Sequence, residues 1–246
     1  MVRLRCVVEY DGTDFAGFQI QSGQPHVRTI QGVLEAAVLA ATTLPSRVIG
    51  AGRTDAGVHA VGQVIHFDSD RTWEPAVWQA ALNARLPPDV VLRSVQVAAP
   101  TFHARYAARS RAYRYAVYNL PVRSPLVARW TWQVATPLDV ERMNAAASRC
   151  RGEHDFQAFA AHESYHSTVR RILRFSCRRF ADIIVVEVTA NAFLRHMVRR
   201  LVGSLVRVGS GQLRPEALRE IIAAKQRGLA GPTAPAAGLC LMKVNY

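Results

Sequence analysis

The 246-residue sequence has no stretch of eighteen or more apolar residues, so it offers no membrane-spanning helix. Its first residues, Met1-Val2-Arg3-Leu4-Arg5-Cys6, enter an alternating pattern without an apolar leader core or cleavage site, which predicts a cytoplasmic protein. Cysteine is scarce. Cys6, Cys150, Cys177 and Cys240 form no C-x-x-C pair and are too dispersed for a disulfide framework, so buried reduced thiols are expected. Cys150, His154, His162 and His166 are the nearest approach to a metal-ligand cluster, but their spacing matches no common ligand set, and no metal is expected. The phosphate-binding fingerprints G-x-x-x-x-G-K-[ST] and G-x-G-x-x-G are both missing, which argues against a crossed-over parallel nucleotide fold.

Lysine is nearly absent too. Of 31 basic residues only Lys225 and Lys243 are lysines, against 18 acidic residues, for a formal charge of +13 and an isoelectric point near 10.6. Arginine presents a planar fork of donors that suits phosphate and stacks on bases, so this balance points to nucleic acid. Acids are missing altogether from Val90 to Leu138, from Ser164 to Ala181 and from Val188 to Pro215, and each of these runs is dotted with arginines. A solvated surface intersperses signs, whereas long single-sign runs suit a phosphate-binding patch.

One stretch concentrates the chemistry. Gly50-Ala51-Gly52-Arg53-Thr54-Asp55-Ala56-Gly57-Val58-His59-Ala60 carries three glycines, and its only ionisable groups are Arg53, Asp55 and His59. Glycines at this density tolerate positive φ and let a ligand approach the backbone. Two readings are open at this point: an active-site loop that displays Asp55, or a polar turn in which Asp55 bonds to neighbouring amides.

The rest of the pattern alternates strands and helices. Val2, Leu4, Cys6 and Val8 mark a first strand that ends at Asp11-Gly12, followed by a Gly- and Gln-rich loop over 13–27. A helix is predicted over 29–41, a strand over 63–67, a helix over 74–84 with Pro75 in its first turn, and a strand over 90–97. The second half opens with a strand over 110–118 that sets Arg111, Tyr113, Tyr115 and Val117 on one face and Arg114 and Tyr118 on the other. Interleaved aromatic and arginine side chains can stack a base while holding its phosphate. The alternative is a cross-strand aromatic pair, preferred for Tyr115 and left open for Tyr113. Then come a helix over 138–149, antiparallel strands over 169–177 and 183–189, a helix with Leu194, Met197, Leu201 and Leu205 on one face and Arg195 and Arg199 on its flank, a helix over 215–224, and a strand over 239–244.

The octamer Gly52-Arg53-Thr54-Asp55-Ala56-Gly57-Val58-His59 strongly resembles the active-site motif of the tRNA pseudouridine synthase A (TruA) family. Further segments agree in order and spacing: Glu9-Tyr10-Asp11-Gly12, Asn83 with Leu86-Pro87, Phe102-His103-Ala104-Arg105, Tyr113-Arg114-Tyr115, Gly152-Glu153-His154-Asp155-Phe156, and Asn191-Ala192-Phe193 running into His196-Met197-Val198-Arg199 and Val202-Gly203-Ser204. The resemblance spans nearly the whole chain. Two positions depart from it: Phe18 stands where the family often has tryptophan, and Cys240 where it often has an aromatic.

The resemblance implies isomerisation of uridine to pseudouridine at positions 38, 39 and 40 of the tRNA anticodon stem-loop, without cofactor or metal, by a homodimer whose two subunits contact one tRNA. It makes Asp55 the nucleophile and Arg199 its ion partner, assigns Arg53 to the substrate backbone or to opening the stem, and makes Tyr113 the ring that stacks on the target uracil. A uridine inside a stem must be extruded before it can react. His59 is read as a support of the loop, and whether Asp55 attacks C1′ or C6 stays open. The expected fold is α+β, with two similar halves of mixed, mainly antiparallel sheet covered by helices on one side and a basic active-site cleft between them. Residues 1–103 would carry the Asp55 loop and residues 104–246 would carry Tyr113 and Arg199. A membrane or DNA partner is not expected. The competing readings are a non-catalytic RNA-binding module and a divalent-ion enzyme that uses Asp55.

Overall fold

A computed structural model describes residues 1–21, 23, 24, 26–161 and 167–246. The chain divides into two compact units, Met1–Arg109 with Leu241–Tyr246, and Ser110–Cys240.

In the first unit, β1 (Val2–Tyr10) is flanked by β3 (His59–Ser69) and β4 (Val90–Ala98), antiparallel to both, with Cys6 opposite Ile65 on one side and Val95 on the other. The alternation read in the sequence is the reason for the core here: Leu4, Cys6, Val8 and Tyr10 are all buried, while Arg3, Arg5 and Glu9 point the other way at half-exposed positions. A short β2 (Ile49–Gly50) pairs with β3, and β3 also neighbours β10 (Leu239–Asn245). Because β3 is an interior strand its side chains are buried almost throughout, and it is longer than the predicted 63–67: the ladder with β1 extends back to Tyr10 opposite Ala60. The strand therefore emerges directly from the Gly- and Asp-bearing loop. Helix α1 (Ile30–Thr42) starts where Thr29 accepts a hydrogen bond from Gly32 N and stops at Thr43, whose φ of 63° is left-handed. Helix α2 (Pro75–Asn83) packs on β4 and buries Trp78 and Leu82.

In the second unit β9 (Ile183–Ala190) lies between β5 (Ser110–Tyr118) and β8 (Val169–Phe180), antiparallel to both. β8 pairs in turn with the short β7 (Gly152–Asp155), and β6 (Trp132–Gln133) joins β5 in the parallel sense. β8 runs three residues beyond the expected Cys177 because the β8–β9 hairpin stays in register to Phe180 opposite Ile183 and turns through Ala181, at φ 47°. Helix α3 (Val140–Ser148) is capped by Asp139, whose side chain accepts from Arg142 N at 3.0 Å. It packs against β8 and against α4 (Met197–Gly209), and α5 (Ala217–Ala224) also touches it. The protein is α+β, with mixed but mostly antiparallel pairing and five α-helices among the described residues.

Two sequence expectations change. The apolar stripe of α4 is buried as read, but the helix begins only at Met197, since His196 adopts a left-handed φ of 63°. Arg195 thus sits in the turn before α4 and does not share a helical flank with Arg199. The acid-free arginine runs are also partly neutralised by folding. Arg93 pairs with Glu9 at 2.7 Å, Arg114 with Glu187 at 2.8 Å and Arg214 with Glu220 at 2.7 Å, each acid coming from outside the run.

Candidate active site

The loop between β2 and β3 is tied to its own unit residue by residue. Ala51 N donates to Val64 O at 2.8 Å, and Phe18 N to Thr54 O at 3.0 Å. The amide of Gln63, fully buried on β3, donates to Gly52 O at 2.8 Å. Tyr10 Oη and Thr54 Oγ1 share a buried hydrogen bond of 2.9 Å. Val58 N closes a turn onto Asp55 O at 3.2 Å, and Gly57 N reaches Phe15 O at 3.2 Å. Backbone groups of Ala51, Gly52, Thr54, Asp55, Gly57 and Val58 are thereby anchored, and anchored polar groups hold one conformation because releasing them under cover costs about 1–3 kcal/mol each.

Glycine has two distinct jobs around this loop. Gly17, at φ 97°, lies so close beneath it that a Cβ would come within 2.9 Å of Thr54 O and 3.2 Å of Ala56 N. Gly50 is explained by packing rather than by ligand clearance: a Cβ there would meet the Phe18 ring at 2.5 Å. Phe18 is a buried core ring at this position.

On this frame Thr54 is buried, Asp55 half-buried and Arg53 exposed. His59 opens β3 and is buried, with Nδ1 3.1 Å from Gly12 N and 3.1 Å from Asp11 Oδ1, so it braces the first turn of the chain against the loop. The expectation that His59 supports structure agrees with this geometry.

Tyr113 and Arg199 belong to the second unit. Tyr113 is half-buried in the middle of β5, opposite Val188, and meets Phe193 edge-to-face with ring centroids 5.2 Å apart. Two positions along the same face, Tyr115 is wholly buried and donates its hydroxyl to Pro235 O at 2.8 Å, as a core tyrosine should. Burial pushes its phenol up from the usual tyrosine range, and the nearby Arg199 offsets part of that rise. Arg199 is half-buried in the first turn of α4, where its Nε donates to Ala234 O at 2.6 Å and so fixes the plane of the guanidinium. A cation in the first helical turn adds to the positive end of the helix dipole and makes this corner attractive to an anion. Sequence reading missed Tyr10, Thr54 and Gln63 as supports of the loop. The one available signal was Gln63 between the apolar residues Ala60-Val61 and Val64-Ile65 of β3.

Of the weighed metal cluster, His162 and His166 lie outside the described residues. Cys150 is buried, its thiol pushed up to about 12 by burial, and His154 Nε2 is 2.9 Å from Arg151 O. Among the described residues no three of His, Cys, Asp and Glu are grouped as metal ligands. Cys6 and Cys177 are buried, Cys240 is half-buried, and all four cysteines are free thiols.

Comparison with known proteins matches residues 6–107 and 146–246 to the family model for tRNA pseudouridine synthase. The tRNA pseudouridine synthase A of Brevibacillus brevis is 45% identical over 247 residues, covering 100% of both chains. That of Moorella thermoacetica is 43% identical over 244 residues, covering 99% of each. That of Cronobacter sakazakii is 41% identical over 247 residues, covering 100% of this chain and 90% of its own.

Proposed function

The chain belongs to the tRNA pseudouridine synthase family, and on that premise we propose that Asp55 is the nucleophile of a base-flipping isomerisation at positions 38, 39 and 40 of the tRNA anticodon stem-loop. The protein is an isomerase and its substrate is tRNA. The observation that carries the finer reading is the loop itself: Asp55 is the one carboxylate on a segment anchored at Ala51, Gly52, Thr54, Gly57 and Val58. Such anchoring suits a group that must meet a reacting atom in one orientation, since positioning accounts for a large part of enzymatic rate.

The carboxylate of Asp55 either displaces uracil at C1′ of the ribose, the C1′–N1 electrons leaving with the base, or adds to C6 of the ring, the C5=C6 electrons moving onto C5 and O4 before the C1′–N1 bond breaks. The freed base turns and joins C1′ through C5. The proton lost from C5 is balanced by one gained at N1, and the carboxylate leaves unchanged. An ordinary carboxylate is ionised at neutral pH and can attack. Arg199 is the proposed cation that keeps it so once water is excluded, and the fixed guanidinium plane at 2.6 Å from Ala234 O suits that task. Arg53, exposed on the same loop, holds the substrate backbone or opens the helix around the flipped base. Tyr113 stacks on the target uracil, with Phe193 bracing its ring from the edge. The enzyme works without metal or cofactor, in the cytoplasm, as a homodimer whose two subunits share one tRNA.

The test is Asp55→Asn, which keeps size and polarity and removes the nucleophile. Unmodified tRNA transcripts incubated with this variant should bind with unchanged affinity and gain no pseudouridine at 38, 39 or 40, whereas the parent modifies them in the presence of chelator. Modification by the variant would end the assignment of Asp55.

A further inference from the structure

The turn that follows β4 in the first unit is built around a column of rings that the isomerisation does not use. At its base is His66, buried on β3. The His103 ring lies 4.8 Å from it at 60°, and Tyr106 stacks on His103 with centroids 4.3 Å apart and planes 28° from parallel. Burial falls off along the column until Tyr106 is 78% exposed. Stacked on a second ring and open to solvent, the Tyr106 phenol presents an apolar face with a polar tip, a surface on which a base can stack.

The turn is also rigid. Arg3 donates to Pro100 O at 2.6 Å and to Phe102 O at 2.9 Å. Ala104 N donates to His66 Nδ1 at 3.1 Å, and Tyr246 Oη to Ala104 O at 2.8 Å. The backbone amides of Arg105 and Tyr106 both donate to His103 Nδ1 at 3.2 Å. The ring is therefore presented in a set orientation, and ordering it on binding costs little entropy. Beside it Arg105 is exposed, with its guanidinium 5.8 Å from the Tyr106 centroid, at the outer limit of a cation–π contact. The chain carries no acid between Val90 and Leu138, and Asp68, which acts on His66 at the base of the column, is paired with Arg3 at 2.7 Å.

The strand β2 brings Ile49 opposite His66, but Asp55 lies toward the other end of the loop, where Val58 N closes onto Asp55 O just before His59 opens β3. His66 lies seven residues along β3 from His59, where the strand leaves the Asp55 loop, and at about 3.3 Å per residue that is roughly 20 Å. A base flipped at Asp55 is not the base that reaches Tyr106.

We propose that Tyr106, backed by His103 and bordered by Arg105, is a stacking platform for a second, unpaired nucleobase of the tRNA, held away from the uridine that reacts. The inference rests on tRNA being the substrate and not on the role of Asp55. Stacking on an aromatic side chain tolerates any base, so the platform fixes where the tRNA lies without reading its sequence.

Equilibrium binding of an unmodified tRNA transcript, together with steady-state kinetics, tests it. Tyr106→Ala and Tyr106→Leu should weaken tRNA binding about 5- to 150-fold and raise KM in proportion. Both should leave kcat and the salt dependence of binding unchanged, and Tyr106→Phe should bind like the parent. Arg105→Gln should lower the slope of log affinity against log salt by about one. Tyr106→Leu keeps apolar bulk at an exposed position and melts like the parent, so its affinity reads stacking alone. Affinity of Tyr106→Leu within twofold of the parent overturns the platform, as does a loss confined to kcat. Because binding is measured without turnover, an error in the Asp55 assignment leaves this result intact.

Discussion

Tyr10 Oη and Thr54 Oγ1 stand 2.9 Å apart in a buried contact one residue before Asp55. The amide of Gln63 reaches toward the same hydroxyl at 3.4 Å while it donates to Gly52 O at 2.8 Å. A phenol from β1 and an amide from β3 thus set the height of the loop that carries Asp55.

Tyr10→Phe should separate positioning from stability. It strips Thr54 of a buried partner at a cost of about 1–2 kcal/mol, which would lower Tm by several degrees. It should also cut kcat about tenfold by loosening Asp55, with tRNA affinity retained. A lower Tm with kcat untouched would reduce Tyr10 to a core residue.

Gly17→Ala acts from beneath the loop. A methyl group would press on Thr54 O and Ala56 N at 2.9 and 3.2 Å, from a backbone at φ 97°. We expect a loss of about 1–3 kcal/mol in denaturant melts and a fall in kcat larger than any change in tRNA affinity. The control is Gly23→Ala, also at positive φ but with open space around the new carbon, which should carry backbone strain without the kinetic defect.

Variants of Arg199 test whether the proposed role of this side chain rests on its charge or on its shape. Arg199→Gln should lower kcat on the order of a hundredfold. Arg199→Lys, which keeps the charge but loses the Nε bond to Ala234 O, should recover part of it. Equal defects in the two variants would show that the positive charge is not what the reaction needs.

Acid should loosen the first unit through His66. Burial lowers its pKa from 6.5 to about 4, helped by His103 and Arg3 and opposed by Asp68. The folded state keeps the ring neutral, with Nδ1 accepting from Ala104 N. Since the folded value lies below the unfolded one, this contribution is complete above about pH 6.5, shrinks as pH falls, and is gone near pH 4. Its size is on the order of 2 kcal/mol after allowance for solvent screening. Urea melts across this window should show the decline, and His66→Asn, which keeps an acceptor and cannot titrate, should flatten it.

What the sequence made legible follows from the range of the forces involved. Helix α1 starts within a residue of the expected place because Thr29 caps it locally, and β5 matches residue for residue because its alternation is local as well. α4 starts late because the left-handed His196 leaves no trace in a hydrophobic pattern. β3 is longer than read because its first residues are held by the ladder to β1, a partner some fifty residues away. The loop motif stood out by its glycines and its carboxylate, whereas Tyr10 and Gln63 became visible as its supports only once the strands were side by side. The arginine runs were read as bare positive charge, and ion pairs such as Arg93 with Glu9 form only through long-range contacts.

Leu241–Tyr246 belong to the first unit although the whole of the second unit separates them from Arg109 in sequence. During synthesis the residues of the first unit up to Arg109 therefore leave the ribosome one strand short, with the β10 side of β3 uncovered, while Ser110–Cys240 is continuous and can close as soon as it is made. The Asp55 loop, which hangs from β3, should reach its working shape only after Leu241–Tyr246 has been made and has emerged to pair with β3. Protease-resistant first-unit fragments on ribosomes stalled before Leu241 would contradict that order of events.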